Sequence, residues 1–409
     1  MKILYIHKYF KTPAEPGGTR SYWVSKKLIE HGHQVVVLTS STSIESSLER
    51  KIIEGIEVFY FKVQYNQSMS ILSRLWSYIM FMLYSTWFAL RLKDINLVLA
   101  TSTPLTVGFP ALILKVFKGI PYVFEVRDLW PEVPIQMGAI RNIFLIWLSR
   151  KFEKTIYKNA EHVIALSPGM LDGVTKYIPK DRTSMIPNMA KKDEFWPRER
   201  NEKLVIKLGL NPKSFKVIHF GSLGLANGAI TIIESAKLLK NDETVEFLFV
   251  GGGATEGLLQ EECLNSGLNN VNFLGLFSMK DTSEIVNLSD VSIISFKDLP
   301  ILYTNSPNKL FDSFSAGKPV IVNSAGWTKE MVELHNCGFY ANPNYPYELV
   351  EKIKYLQSHP EKAKSMGDNA RKLAEEVYDK SILSMRFINV IESINISNYS
   401  CIKSCLKDF

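Results

Sequence analysis

In "NSPNKLFDSFSAGKP", residues 305–319, a lysine and an aspartate fall three residues apart at the start of a short helix. Ser306 suits the N-cap and Pro307 the first helical position, while Gly317 and Pro319 close the helix. Lys309 then sits in the first turn, where the helix dipole disfavours a cation. A cation beside free helix N–H groups suits an anion such as a diphosphate. Asp312, one turn on, can accept hydrogen bonds from two adjacent hydroxyls, as a ribose requires. The plainer alternative is a solvated i,i+3 pair, worth only about 0.2–0.5 kcal/mol.

Other stretches carry compatible chemistry. "HFGSLGLANG", residues 219–228, is a glycine loop at a strand–helix junction, with Gly221, Ser222 and Gly224 placed to close over a diphosphate. "PGGTR" brings Gly17, Gly18 and Arg20 to an earlier junction, where small residues let backbone N–H groups approach phosphate or sugar. "FEVRDLWPE", residues 124–132, gathers Glu125, Arg127, Asp128 and Glu132 at a strand end. There a carboxylate can meet an acceptor hydroxyl and an arginine a phosphate. Arg127 and Asp128 are alternatively a structural ion pair. In "GGGATEG" the glycines at 251, 253 and 257 miss the dinucleotide spacing. His7 and His219, at strand ends, read as structural, and no paired His and Cys ligands suggest a metal.

The elements that position these residues alternate along the chain. "KILYIHKYF", "HQVVVLTS", "NLVLATS", "PYVFEVRD" and "EHVIALS" are apolar, buried-type strands separated by helical stretches. After a charged break at residues 188–207 the pattern restarts with "FKVIHFGS", "VEFLFVGGG", "VNFLGL", "DVSIISF" and "KPVIVNS". Such alternation predicts two doubly wound parallel sheets, facing each other across a cleft and binding ligands at the carboxyl ends of their strands.

The bulk numbers agree with two globular domains. The chain has 409 residues, 46% hydrophobic and 22% charged, with a formal net charge of +7. That excess suits a phosphate-bearing partner or a membrane surface, and is too small to argue for nucleic acid. Cys263, Cys337, Cys401 and Cys405 lack zinc spacing and, with no signal peptide in "MKILYIHKYF", read as free thiols in a reducing compartment. Residues 71–90, "ILSRLWSYIMFMLYSTWFAL", hold a single ionised side chain, Arg74. With Ser77 and Ser85 it forms a narrow polar stripe, and Trp76, Tyr78, Tyr84 and Trp87 sit near the ends or flanks. This predicts a helix lying in a membrane interface, in preference to a buried helix or a span.

Taken together, "PGGTR", "HGHQVVVLT", "FLFVGGG", "VNFLGL" and "PNKLFDSFSAGKPVI" resemble the retaining family-4 glycosyltransferases of GT-B fold, two Rossmann-like doubly wound α/β domains. "EVRDLWPE", the apolar 71–90 segment and "SPNKLFD" narrow the resemblance to the WbuB-like subgroup of bacterial polysaccharide enzymes. It implies an acceptor-binding domain over 1–195 with its membrane-associating segment at 71–90, a nucleotide-sugar domain over 200–375, and a helix and tail over 376–409 crossing back to the first domain. It implies transfer of an N-acetylated sugar from a nucleoside-diphosphate donor, UDP-linked in preference to GDP-linked. It implies as acceptor a polyprenyl-diphosphate-linked saccharide in O-antigen or capsule assembly, at the cytoplasmic face of the inner membrane, with no metal or other cofactor.

Residue by residue, Asp312 matches the family acid that holds the donor ribose. Thr304 stands where the family places an acid on the donor sugar, so Asn305 or Ser306 takes that contact. "GSLGLANGAI" lacks the family's basic pair, which leaves Lys309 for the leaving diphosphate, backed by Gly221–Gly224 and Gly17–Gly18. Arg20 and Arg127 are auxiliaries, and Asp128 and Glu125 orient the acceptor hydroxyl or act as base. A sugar-nucleotide 2-epimerase and a non-catalytic sugar-nucleotide-binding membrane scaffold are the alternatives.

Overall fold

The computed structural model describes residues 1–66 and 69–394; the C-x3-C pair Cys401 and Cys405 lies outside them. The chain forms two compact units. The first comprises residues 1–12, 18–187 and the segment from 381 onward; the second comprises 13–17 and 188–380.

Unit 1 contains β1 (Lys2–Ile6), β2 (Gln34–Ser41), β3 (Leu48–Ile53), β4 (Ile56–Lys62), β5 (Leu97–Thr101), β6 (Tyr122–Val126), β7 (His162–Ala165) and β8 (Thr183–Met185). Its helices are α1 (Arg20–Glu30), α2 (Ile71–Arg91), α3 (Gly108–Lys118), α4 (Glu132–Gln136), α5 (Ile143–Asn159) and α6 (Pro168–Thr175). The sheet order is β3-β4-β2-β1-β5-β6-β7-β8, parallel except for the antiparallel β3–β4 hairpin at one edge. β1 pairs with both β2 and β5, so Ile3, Leu4, Tyr5 and Ile6 are buried on both faces, as near-continuous apolar strands require.

Unit 2 contains β9 (Phe215–Phe220), β10 (Val245–Val250), β11 (Val271–Gly275), β12 (Val291–Ile294), β13 (Val320–Val322) and β14 (Gly338–Tyr340). With them are α7 (Glu202–Lys207), α8 (Ile230–Leu238), α9 (Glu256–Ser266), α10 (Met279–Leu288), α11 (Asn308–Ser315), α12 (Trp327–Leu334), α13 (Pro346–Ser358) and α14 (Pro360–Glu376). The order β11-β10-β9-β12-β13-β14 is parallel throughout and reverses direction at β9/β12, the switch point where such sheets bind ligands. Val217, Phe247, Phe249, Val291, Ile293 and Ile321 form the core on one face. α15 (Lys380–Ser393) ends the described chain and packs within unit 1, where the Phe387 ring lies 5.9 Å from the Arg20 guanidinium and Glu392 reaches His33 at 3.1 Å.

α2 corrects the polar-stripe reading of residues 71–90. Ser77 and Ser85 face the protein with Tyr78, Phe81 and Ala89, while Leu72 and Trp76 are 77% and 63% exposed. Ser85 donates to the Phe81 carbonyl one turn back, which lets it be buried without an external partner. The helix therefore buries Ser77 and Ser85 with Tyr78, Phe81 and Ala89, and still presents Leu72, Leu75, Trp76, Leu83 and Trp87 outward. Outside it, Lys62, Val63, Met69, Leu72, Trp76 and Met80 help line an open groove of about 520 Å³. Among the described residues no helix is long and apolar enough to cross a membrane.

Candidate active site

In unit 2 the site is built where β9 ends. Its last residues carry His219, and the chain then turns sharply through Gly221, whose φ of +98° favours glycine. A Cβ at Gly221 would stand 3.6 Å from Cε of Lys309. The loop at 251–253 packs against this turn: a Cβ at Gly251 would meet the Gly221 carbonyl oxygen at 2.0 Å. The glycine run after β10 is thus a packing device that fixes the 221–223 loop, with Leu223 N–H donating to the Gly252 carbonyl at 2.9 Å.

Lys309 is the chemical centre of this unit. It is 8% exposed, and its Nζ lies 3.1 Å from Nε2 of His219. Burial pushes the ammonium down to about 7. Burial and then the Lys309 charge hold His219 well below the usual histidine range, so Nε2 accepts. Among the described residues no carboxylate lies within ion-pair distance of Lys309. A lysine buried beside a neutral imidazole carries an uncompensated cost when charged, which an anion would remove.

Asp312 has a different partner from the one its spacing suggests. Nζ of Lys191 lies 2.7 Å from Oδ1 and 2.9 Å from Oδ2, and both residues are buried. Burial raises the Asp312 carboxyl, and the Lys191 charge partly opposes this. The i,i+3 pairing with Lys309 does not form. Lys191 lies in the charged break at residues 188–207, where no spacing links it to Asp312. Asp312→Asn should cost roughly 3–5 kcal/mol of stability by leaving Lys191 buried without its counter-charge. The Asp312→Asn, Lys191→Met double variant should recover much of that loss in urea unfolding.

The start of α11 also departs from its sequence signals. The helix begins at Asn308, with Pro307 at the N-cap and no side-chain cap. Ser306 Oγ accepts the Asn188 backbone N–H at 3.1 Å, so Ser306 anchors a neighbouring strand of chain and is buried, against the sugar contact expected of it. Asn305 keeps a buried Oδ1 without a partner among the described residues, while its carbonyl accepts from the Trp327 indole at 2.6 Å. The Thr304 hydroxyl turns back to the Ile301 carbonyl. Ser222 and Gly224 lie on the loop beyond Gly221, where Ser222 is exposed.

Unit 1 separates the residues of "FEVRDLWPE". Glu125 is fully buried and accepts from Nε of Arg20 at 2.7 Å and from the Thr101 hydroxyl at 2.9 Å. Arg20 in turn donates to the carbonyls of Ile186 and Pro187. This pair is a structural clamp, so the expectations for Glu125 as an acceptor-orienting carboxylate and Arg20 as a phosphate auxiliary are corrected: neither side chain has an open face. Arg127 and Asp128 are half-buried and remain accessible. His7 accepts from Arg127 at 3.3 Å through Nε2 and contacts the Ser21 hydroxyl at 2.8 Å through Nδ1. Asp128 accepts from the Thr103 hydroxyl at 2.7 Å, and burial raises its carboxyl. Gly17 and Gly18 lie in the solvent-accessible loop before α1. Glu132 leaves the group to pair with Arg150 of α5 at 2.7 Å. Among the described residues no group of three or more His, Cys, Asp or Glu side chains is placed to hold a metal.

The family model for glycosyl transferases group 1 matches residues 200–373, and the glycosyl transferase 4-like domain model matches residues 17–189. The chain belongs to the GT-B glycosyltransferases. The matched segments of this glycosyltransferase take in all of the second sheet and all strands of the first except β1, and both models describe transferases. The probable glycosyltransferase WbjE of Pseudomonas aeruginosa is 23% identical over 75% of the chain and 76% of its own length. The alpha-galactosylglucosyldiacylglycerol synthase of Streptococcus pneumoniae is 23% identical over 59% of the chain, which spans 64% of that relative. Among solved structures, the sucrose-phosphate synthase of Thermosynechococcus elongatus aligns over 96% of this chain and 98% of its own, with a TM-score of 0.77 and 16% identity. HepE of Anabaena, solved with UDP-glucose, covers 96% of this chain and 100% of its own, with a TM-score of 0.70 and 18% identity. At these identities the structural likeness establishes the fold.

Proposed function

We propose that this glycosyltransferase moves an N-acetylated sugar, with retention, from a nucleoside diphosphate to a polyprenyl-diphosphate-linked saccharide. The setting is O-antigen or capsule assembly at the cytoplasmic face of a bacterial inner membrane, as in the WbuB-like subgroup. The observation that carries the reading is Lys309, a buried ammonium under the Gly221 turn with no carboxylate partner among the described residues, which a leaving diphosphate completes. UDP is preferred to GDP as the nucleotide, in keeping with the UDP-glucose bound to the structurally similar HepE.

The chemistry follows from where charge develops. The bond between the anomeric carbon and the phosphate oxygen breaks, and its electron pair goes to that oxygen. The acceptor hydroxyl oxygen bonds to the same face of the sugar, and its proton passes to the departing phosphate. Lys309 and the backbone N–H groups of the Gly221–Gly224 loop stabilise the growing negative charge, usually the largest catalytic contribution. Asp128, raised by burial and steadied by Thr103, orients the acceptor hydroxyl. Asp312, oriented by Lys191, keeps lone pairs for the ribose hydroxyls. No metal is required in this scheme.

A turnover screen across sugar nucleotides with a short-chain lipid diphosphosaccharide tests the proposal. Sugar should appear in the lipid fraction with a UDP donor. Epimerised nucleotide sugar forming without acceptor, or no transfer from any donor, would overturn it.

The lipid acceptor is supported by the outward apolar face of α2 and by the glycolipid product in the name of the pneumococcal relative. Replacing exposed Trp76 and Trp87 with serine should lower co-sedimentation with vesicles by tenfold or more, at about 1.5–3 kcal/mol per buried aromatic side chain. Unchanged co-sedimentation would remove α2 from the interface. Phe81, fully buried, is excluded from this test because its loss would open a cavity.

A further inference from the structure

α2 is not the only helix of unit 1 that turns apolar residues outward. α5 begins at an Asn142 cap, whose side chain accepts the Leu145 N–H at 3.1 Å. Its first turns expose Ile143 (83%), Phe144 (65%), Leu145, Trp147 and Leu148. The Phe144 and Trp147 rings stack at 6.0 Å on the surface, and Lys151 reaches over Trp147 at 5.2 Å. A helix of a water-soluble protein carries an apolar stripe toward its core; here the start of the helix is apolar on its outer side as well.

The topology places this helix beside the others. α2 runs from β4 to β5, α3 from β5 to β6 and α5 from β6 to β7, each crossover advancing in one direction along the sheet. Right-handed crossovers put all three on one face, and α3 packs against both α2 and α5. α3 adds exposed Val116 and Phe117 near its end.

Charge identifies what this layer meets. α2, α3 and α5 together contain Arg74, Arg91, Lys115, Lys118, Arg150, Lys151, Lys154 and Lys158, of which Lys115 and Arg150 are paired with Glu161 and Glu132 outside these helices. The sole acid in the three helices is Glu153, and it is buried. Exposed Trp and Phe flanked by cations, with no exposed carboxylate on the same helices, complement an interface of hydrocarbon under anionic headgroups. A self-association face of this size would gain nothing from so one-sided a charge, because like cations repel across a two-fold contact.

We propose that α5 is a second membrane arm: its start, Ile143 to Leu148, inserts into an anionic bilayer while Lys151 and Lys154 meet the headgroups, so that α2 and α5 hold unit 1 to the membrane together. The inference rests on the membrane-acceptor reading and extends it from one helix to a helix layer. Two points of attachment fix the orientation of unit 1 on the surface, which a single helix leaves free to roll.

The test uses the full chain and extruded vesicles of phosphatidylcholine, alone or mixed with phosphatidylglycerol. Phe144→Ser with Trp147→Ser should weaken binding to the mixed vesicles on the order of a hundredfold. Lys151→Glu with Lys154→Glu should weaken it roughly thirtyfold or more, flatten its salt dependence and leave the weak binding to phosphatidylcholine unchanged. All four positions are exposed, so unfolding midpoints should match the wild type. If both α5 variants bind as the wild type while the Trp76, Trp87 variant does not, the second arm is wrong and the α2 reading stands. If the wild type binds neither vesicle, both readings fall. If the α5 variants change the sedimentation-equilibrium mass and not vesicle binding, the face is a contact between copies and the proposal is overturned.

Discussion

Lys309→Met is expected to lower kcat/KM by about 10²–10³-fold, the range for removing one preorganised charge stabiliser. The same change should leave the unfolding midpoint unchanged or raise it, because it removes a buried ammonium that has no carboxylate partner among the described residues. A pH dependence accompanies this. In the folded, ligand-free protein burial brings Lys309 to about 7, whereas in the unfolded chain it stays protonated to about 10.4. Between those values the unfolded state holds more protons, so the Lys309 contribution to stability rises with pH from about 7 and levels off near about 10. Nucleotide binding runs the other way. A diphosphate favours the ammonium, so binding above pH 7 takes up a proton, and affinity falls by up to about tenfold per pH unit. Isothermal titration with UDP in buffers of differing ionisation enthalpy reads the uptake directly. Its persistence in Lys309→Met would assign the proton to another group and sink the role given to this lysine.

Glu125→Ala and Asp128→Asn, three residues apart, are expected to fail in opposite ways. Glu125 neutralises the buried Arg20, so its loss should cost about 3–5 kcal/mol. Arg20 would then keep only its contacts to the Ile186 and Pro187 carbonyls, and urea unfolding should shift to lower midpoint. Asp128→Asn preserves a hydrogen-bond acceptor for Thr103 and removes a charge that burial already disfavours, so the fold should hold. Its expected effect is a loss of kcat on the order of 10²-fold, the lower end for a positioned acid–base group. A Glu125→Ala protein with wild-type unfolding and no activity would restore Glu125 to the acceptor site. A fully active Asp128→Asn protein would remove Asp128 from it.

Much of the architecture was legible in the chain. Buried parallel strands must be apolar along their whole length, and runs such as "KILYI" and "VEFLFV" announce that without reference to any partner. Their alternation with helical segments leaves little choice but doubly wound sheets. The β3–β4 hairpin escaped this reading, because "LERKII" is a polar edge strand that pairs on one side only.

The site was legible in part, and the reason lies in what spacing can express. Local periodicity places Lys309 and Asp312 near one another on a helix, and it marks a cation in an unfavourable turn. It does not show that Asp312 meets Lys191, which is distant in sequence, or that Lys309 meets His219 on β9. Glu125, Arg127 and Asp128 looked like one constellation because they are consecutive or nearly so. β6 ends at Val126, so Glu125 is held inside the sheet, where it meets Arg20, while Arg127 and Asp128 fall in the turn beyond it and stay accessible.

α2 shows the division most plainly. Its composition alone determined that a long, nearly uncharged helix is present and that water is a poor solvent for most of it. Which side meets the protein was a tertiary decision. The core took Tyr78, Phe81 and Ala89 together with small hydroxyls that bond their own helix backbone, as Ser85 does, and left Leu72, Trp76, Leu83 and Trp87 facing out. The sequence by itself thus determined the two sheets, the glycine turns and the candidate ions. Only the packed structure decided which ions are spent on one another and which, like Lys309, are left to meet a ligand, because pairing depends on distances that the order of residues does not contain.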